Sequence, residues 1–180
     1  MDAKHGQLFW IGIWTFGLLS SAALADPAQD MARAEEAFRA GDLTQTIPLL
    51  KKAASAGYAP AQVRLGEILD DSEFNEEAVT WFRKAADQGN AAGEFGLGRM
   101  YALGEGIEKD PKKALYWITL AAEKDYLLAI NVLVQSYRKG GLGLTVDLQQ
   151  AQLWEARART LEKAAAEAKT KKQTEQGQGK

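Results

Sequence analysis

Residues 91–126 read AAGEFGLGRMYALGEGIEKDPKKALYWITLAAEKDY, and this stretch decides the fold. Its first half predicts a helix that ends at Gly104, because glycine is the residue most common just after a helix. Asp110 suits the start of a second helix, since its carboxylate can accept hydrogen bonds from free backbone N–H groups. Pro111 then occupies the first helical position, where no N–H is needed. The second helix is predicted to run to about Lys124, so the stretch forms a helical hairpin.

The apolar residues of this hairpin have helical spacing. In the second helix they recur at intervals of 3, 4 and 7 residues: Ala114, Trp117, Ile118, Ala121 and Ala122. Small residues such as Gly98 let the two helices approach closely, while Leu97, Tyr101 and Trp117 fill the space between them. One hairpin cannot bury this surface alone, but a stack of hairpins can.

The same pattern recurs along the chain. Trp81, Trp117 and Trp154 lie 36 and 37 residues apart, and each has an alanine three residues before it and four residues after it. The repeat divides the chain into units at about 28–58, 59–90, 91–126 and 127–163. The sequence therefore predicts an all-α solenoid of about four helix-turn-helix repeats within residues 26–163.

Both ends of this array depart from the pattern. In the degenerate leading unit, Pro48 lies inside a predicted helix, which must either begin near Thr46 or kink. The last helix loses its apolar face after about Ala166, so residues 164–180 are predicted to form a polar, disordered tail.

Residues 1–25 have the features of a cleaved secretion signal. Lys4 precedes an apolar run at 8–19, and Ala23-Leu24-Ala25 fits the rule for signal peptidase cleavage after Ala25. Twelve apolar residues span about 18 Å as a helix, which is short of the ~30 Å hydrocarbon core. We therefore expect a periplasmic or secreted bacterial protein without a stable membrane span, with a retained membrane anchor as the alternative.

Composition excludes several kinds of chemistry. The chain has no cysteine, and its one histidine, His5, lies in the predicted signal. After cleavage, histidine bases, Ser-His-Asp triads and zinc sites built on histidine or cysteine are impossible. The formal net charge of −2 also argues against a nucleic-acid partner.

Residues 91–126 closely resemble the Sel-one-like repeat family, which is related to tetratricopeptide repeats. The residues that carry the resemblance are Leu97, Gly98, Met100, Tyr101, Gly104, Gly106, Ile107, Asp110, Ala114, Trp117, Ala121 and Ala122. It extends with gaps over about 59–163. The resemblance implies right-handed stacking of helix pairs and an adaptor role in binding partner proteins, with no catalytic residues. We also expect no cofactor and no metal site.

Two enzyme-like or metal-like patterns are weaker. The acidic run 70–77 resembles a calcium loop, but counted from Asp71 its sixth and twelfth positions are Glu76 and Phe82, where an EF-hand needs glycine and glutamate. A hydrolase based on two carboxylates, such as Glu67 and Asp71, would need them to face each other across a cleft.

We therefore predict an exported, non-enzymatic adaptor or regulator that binds a partner protein or peptide in the bacterial envelope. The first helix of each unit is expected to line a concave face. The register of the repeat places the candidate partner-binding residues on that face: Arg64, Glu67, Arg99, Gln135 and Lys139. The alternatives are a periplasmic immunity protein that neutralises a secreted toxin, a carboxylate-based envelope hydrolase and a membrane-tethered assembly factor.

Overall fold

A computed structural model of the chain describes residues 26–177, which contain eight α-helices and no strands. The helices are α1 (Pro27–Arg39), α2 (Leu43–Ser55), α3 (Ala59–Asp71), α4 (Asn75–Ala86), α5 (Ala91–Leu103), α6 (Pro111–Glu123), α7 (Leu127–Lys139) and α8 (Leu148–Gly177). The predicted signal peptide at 1–25 and its cleavage site lie outside the described residues. Within the described part of the chain, no helix is both long and apolar enough to cross a bilayer.

The helices pack as four successive hairpins. Each helix contacts the next along the chain, and α3 also contacts α5, so the first helices of the two central hairpins lie side by side. The carboxylate of Asp110 begins α6 by accepting from the N–H groups of Lys112 and Lys113, at 3.1 and 3.0 Å. The predicted all-α solenoid of four hairpins is confirmed. The hairpin deduced from residues 91–126 is observed almost to the residue.

Glycines set the distance between neighbouring helices. The Phe82 ring of α4 lies between two of them, Gly66 of α3 and Gly96 of α5. A Cβ atom at these positions would lie 2.8 and 2.5 Å from the ring. A Cβ at Gly98 would lie 2.7 Å from Ile118 of α6. The close approach predicted for Gly98 is therefore observed, and α5 is held tightly on both sides.

The repeated tryptophans lie at the edge of the core. Trp81, Trp117 and Trp154 are all half-buried and pack against core residues. The residues that follow the first two, Phe82 and Ile118, are only 2% and 1% exposed. The tryptophans therefore take part in packing between helices, as predicted. In α4 and α6, however, the residue that follows the tryptophan is buried more deeply than the tryptophan itself.

Both ends of the stack carry polar side chains where the interior has apolar ones. Leu65, Leu97 and Leu133 occupy one position of α3, α5 and α7 and are fully buried, whereas α1 has the exposed Arg33 at that position. At the other end, α8 has Glu155 directly after Trp154, at the position that Phe82 occupies in α4 and Ile118 in α6. Polar outer faces of this kind are typical of the capping units of repeat proteins.

Two details at the ends differ from the sequence-based expectation. Helix α2 begins at Leu43, so Pro48 lies in its second turn and the predicted start near Thr46 is wrong. Residues 164–177, predicted to be disordered, continue α8 as helix. Their content of alanine, lysine and glutamate explains this, because these residues have high intrinsic helix propensity.

Candidate functional site

Two pockets lie among the first helices α1, α3, α5 and α7, and we refer to them as the N-terminal and C-terminal compartments of a groove. The N-terminal compartment, of about 240 Å³, lies among α1, α3 and the start of α5; its walls are Met31, Pro60, Val63, Arg64, Glu67, Asn90 and Ala92. The C-terminal compartment, of about 500 Å³, lies between α5 and α7; its walls are Phe95, Leu128, Asn131, Val132, Gln135, Ser136, Lys139 and Gly141. The groove provides a ready site for an extended ligand.

Three of the five predicted contact residues bind within the protein. Arg64 pairs with Glu35 of α1 and with Glu67 on its own helix, both at 3.1 Å. Arg99 of α5 pairs with Asp70 of α3 at 2.6 Å. Two of these ion pairs, Arg64 with Glu35 and Arg99 with Asp70, join neighbouring first helices. The charges at this end of the groove are therefore neutralised by the solenoid itself.

The other two predicted residues, Gln135 and Lys139, lie together in the C-terminal compartment. Neither side chain makes a hydrogen bond or an ion pair with any described residue, and both are exposed. Asn131, one helical turn before Gln135, lies on the same face of α7 and is also exposed. Three polar side chains of α7 are therefore available to a ligand.

Apolar side chains complete this compartment. Leu128 is 54% exposed, and Phe95 and Val132 are half-buried beside it. Phe95, Leu128, Asn131 and Val132 are not among the predicted contact residues. The spacing of 128, 131, 132 and 135 along α7 is a signal for the three residues on that helix, because it places them near one another on one side; Phe95 on α5 has no such signal.

Tyr126 lies between the two compartments. Its ring packs against Phe95, with centroids 5.3 Å apart and an angle of 50° between the rings. Burial raises the pKa of the Tyr126 hydroxyl, and the negative charge of Glu67 raises it further. The charge of Glu67, which lines the N-terminal compartment, therefore influences Tyr126, which packs against Phe95 of the C-terminal compartment.

The acidic run 70–77 lies away from this groove, at the start of α4. It contributes to a separate cleft of about 520 Å³ whose walls include Phe74, Glu76 and Gly106. Asp70 is already paired with Arg99, and no three acidic, histidine or cysteine side chains among the described residues are grouped as metal ligands. The two carboxylates considered for hydrolysis also differ in setting: Glu67 is paired with Arg64, and Asp71 is exposed.

Comparisons with known proteins agree with the fold. The family model of the Sel1 repeat matches residues 59–90 and 91–126. The human protein sel-1 homolog 2 is 42% identical over 142 residues, which cover 74% of this chain and 21% of that protein. The chain therefore spans about a fifth of this relative's length.

Two solved bacterial structures are also similar. The Sel1 repeat protein from Oxalobacter formigenes superposes with a TM-score of 0.69 at 33% identity, over 76% of this chain and 59% of that one. A protective antigen of uropathogenic Escherichia coli strains that displays an SLR fold gives the same TM-score at 28% identity, over 76% of this chain and 31% of that one. The chain thus carries two Sel1 repeats, at residues 59–90 and 91–126, within a solenoid of the Sel1 repeat type.

Proposed function

We propose that this chain is a non-enzymatic adaptor or regulator that binds a partner protein or peptide in the groove along its first helices. Sel1 repeat proteins generally mediate protein–protein interactions. The observation that carries the proposal is the C-terminal compartment, where the apolar Leu128 is exposed beside the unpaired Asn131, Gln135 and Lys139.

The chemistry of this compartment suits a polypeptide ligand. Sites that bind tightly combine an apolar surface with a few polar groups that fix the orientation of the ligand. Phe95, Leu128 and Val132 supply the apolar surface, and the amides of Asn131 and Gln135 can both donate to and accept from a peptide backbone. Because helices hold all these residues, little ordering entropy is lost on binding.

The cellular site of this activity is part of the proposal. The apolar run at 8–19 and the cleavage motif ending at Ala25 support export to the bacterial envelope, where the partner would be met. Mass spectrometry of the exported protein tests this. A mature chain starting at Asp26 is expected, and a chain that retains residues 8–19 would instead support the membrane-tethered alternative.

Site-specific photo-crosslinking tests the groove. A photoreactive residue replaces Gln135 in one protein and Gln152 in a matched control, where Gln152 is an exposed glutamine of α8. In envelope extract, the Gln135 probe is expected to give a discrete crosslinked partner that the Gln152 probe does not give.

Adding Leu128→Asp to the Gln135 probe should abolish the crosslink without unfolding the protein, because Leu128 is 54% exposed. Identical crosslinks from both probes, or a crosslink that survives Leu128→Asp, would place the binding surface elsewhere.

A further inference from the structure

We infer that the C-terminal compartment selects an acidic peptide: an extended segment of about five residues with an apolar side chain at the Leu128 end and a carboxylate at the Lys139 end. This inference rests on the proposed function and specifies the chemistry of its partner. Three features of α7 carry it: one unpaired charge, one hydroxyl without a partner among the described residues, and the distance between the charge and the apolar surface.

The charge comes from Lys139, the one charged side chain among the residues that line the compartment. Within the described part of the chain its ammonium group has no acidic partner. The preceding residue, Arg138, is paired with Glu155 at 2.7 Å. Arg138, beside the groove, is therefore neutralised within the protein, whereas Lys139, in the groove, is available to a ligand. A carboxylate is the ligand group that complements it.

The hydroxyl belongs to Ser136, which is 7% exposed and lines the same compartment. Several serine and threonine hydroxyls donate to the carbonyl four residues earlier, as Ser72 does to Ile68 and Thr80 to Glu76. No such bond is formed by the Ser136 hydroxyl with any described residue. The Ser136 hydroxyl can therefore donate to or accept from a ligand in the compartment.

The length follows from helix geometry. Leu128 and Lys139 are eleven positions apart on α7, which corresponds to about 16 Å at ~1.5 Å per residue. An extended peptide covers that distance with about five residues at ~3.3 Å each. Asn131 and Gln135 lie between the two ends and can bond to the backbone of such a segment.

Fluorescence anisotropy with defined peptides tests the inference on the purified full chain. Three labelled, amidated peptides differ in one residue: Leu-Ser-Ala-Ser-Asp, Leu-Ser-Ala-Ser-Asn and Leu-Ser-Ala-Ser-Lys, each also made in the reverse order. In one of the two orders, the aspartate peptide is expected to bind about fivefold more tightly than the asparagine peptide, and the lysine peptide most weakly.

Charge reversal provides the decisive comparison. Lys139→Glu should invert the ranking, so that the lysine peptide binds most tightly. The matched control Lys171→Glu makes the same change of charge on the exposed end of α8 and should leave the ranking unchanged. Ser136→Ala should weaken binding of the aspartate and asparagine peptides by the same factor, because the hydroxyl is expected to contact the part that the two peptides share and not the residue that differs.

The outcomes separate this inference from the proposed function. Peptides that bind equally tightly whatever their charge, with no change in Lys139→Glu, would overturn the acidic selectivity and leave the groove as a binding site. A panel in which no peptide binds would overturn the inference. Together with photo-crosslinks that do not distinguish Gln135 from Gln152, that result would also overturn the proposed function.

Discussion

The carboxylate of Glu94, on α5, forms an ion pair with the ammonium group of Lys124 at the end of α6, and so joins the two ends of one hairpin. Glu94 is 2% exposed. Lys124 also donates to the carbonyl of Gly89 at 2.9 Å. In the preceding hairpin the same two positions are Gln62 and Gln88, whose amides are 2.7 Å apart. Equivalent hairpins are therefore joined at the same positions by an ion pair in one case and by a hydrogen bond between neutral amides in the other.

The first prediction concerns this pair. Lys124→Met should lower the free energy of unfolding by about 2 kcal/mol, because it leaves a buried carboxylate without its cation. The double variant Glu94→Gln with Lys124→Gln copies the neutral pair of the preceding hairpin and should recover most of the loss. Urea unfolding at neutral pH measures both. A single variant as stable as the parent would show that Glu94 is solvated in another way.

A second prediction concerns Phe82, which lies between Gly66 and Gly96. Gly96→Ala should destabilise the protein by about 1–3 kcal/mol, since the added methyl group would overlap the ring. This is the opposite of the usual effect, because alanine normally favours a helix over glycine. Adding Phe82→Leu should make the effect of Gly96→Ala smaller in a double-mutant cycle. Additive effects would mean that the ring does not set the spacing.

The start of α4 gives a third prediction. The other second helices begin after an aspartate, at Asp42, Asp110 and Asp147, whose carboxylates accept from backbone N–H groups. Helix α4 has Phe74 at this position, without a side-chain cap. Phe74→Asn should raise the free energy of unfolding by about 1 kcal/mol, because asparagine is a good N-cap residue. A lower thermal midpoint would instead indicate that the ring stabilises the loop.

The fourth prediction is a pH dependence at the polar end of the stack. Arg159 and Arg138 hold the pKa of Glu155 below its usual value, through hydrogen bonds and charge. A carboxylate whose pKa is lower in the folded state stabilises the fold above its unfolded pKa. It loses this effect as the pH falls through the folded value. The stability difference between the parent and Glu155→Gln should therefore be largest near neutral pH and shrink as the pH falls below the usual pKa of a glutamate and through the lower folded value.

Glu162→Gln is the control for this experiment, because Glu162 is an exposed glutamate of the same helix with no ion pair among the described residues. It should show no comparable dependence on pH. If the stability difference between the parent and Glu155→Gln persisted at acidic pH, packing rather than charge would account for it.

A fifth prediction concerns the extension of α8. Truncation after Lys163 should change the free energy of unfolding by less than about 0.5 kcal/mol, because residues 164–175 are exposed. It should nevertheless lower the helical circular dichroism signal per molecule. A marked loss of stability would show that the extension packs against the solenoid.

Local signals explain why most of the fold could be predicted. Asp110 and Pro111 mark the start of a helix by their own chemistry, and the spacing of the tryptophans fixes the repeat. The extension of α8 is not predicted by the apolar pattern, because residues 164–177 lack an apolar face and helix propensity alone favours helix there. The tryptophans were recognised as packing residues, but their place at the edge depends on how neighbouring hairpins fit together.

The candidate site was only partly predictable. The repeat pattern predicts Gln135 and Lys139 as groove residues, and it predicts Arg64 and Arg99 on the same grounds. The pattern identifies one face of a helix, but it does not specify the contacts that residues on that face make. The partners of these two arginines, Glu35 and Asp70, lie on the preceding first helix, 29 residues earlier in each pair. Such pairs depend on the stacking geometry, which a periodic sequence pattern does not specify.

The polar residues at the two ends, Arg33 and Glu155, bear on how the molecule behaves at high concentration. Solenoid units whose terminal faces are apolar can add to one another without limit and form fibres. Here α1 carries the exposed Arg33 and α8 carries Glu155 at positions that are apolar in the interior, so joining two copies through these positions would require removing water from these groups. Each hairpin contributes one first helix to the proposed recognition surface. A duplicated copy of residues 91–126 inserted in register would lengthen that surface by one hairpin.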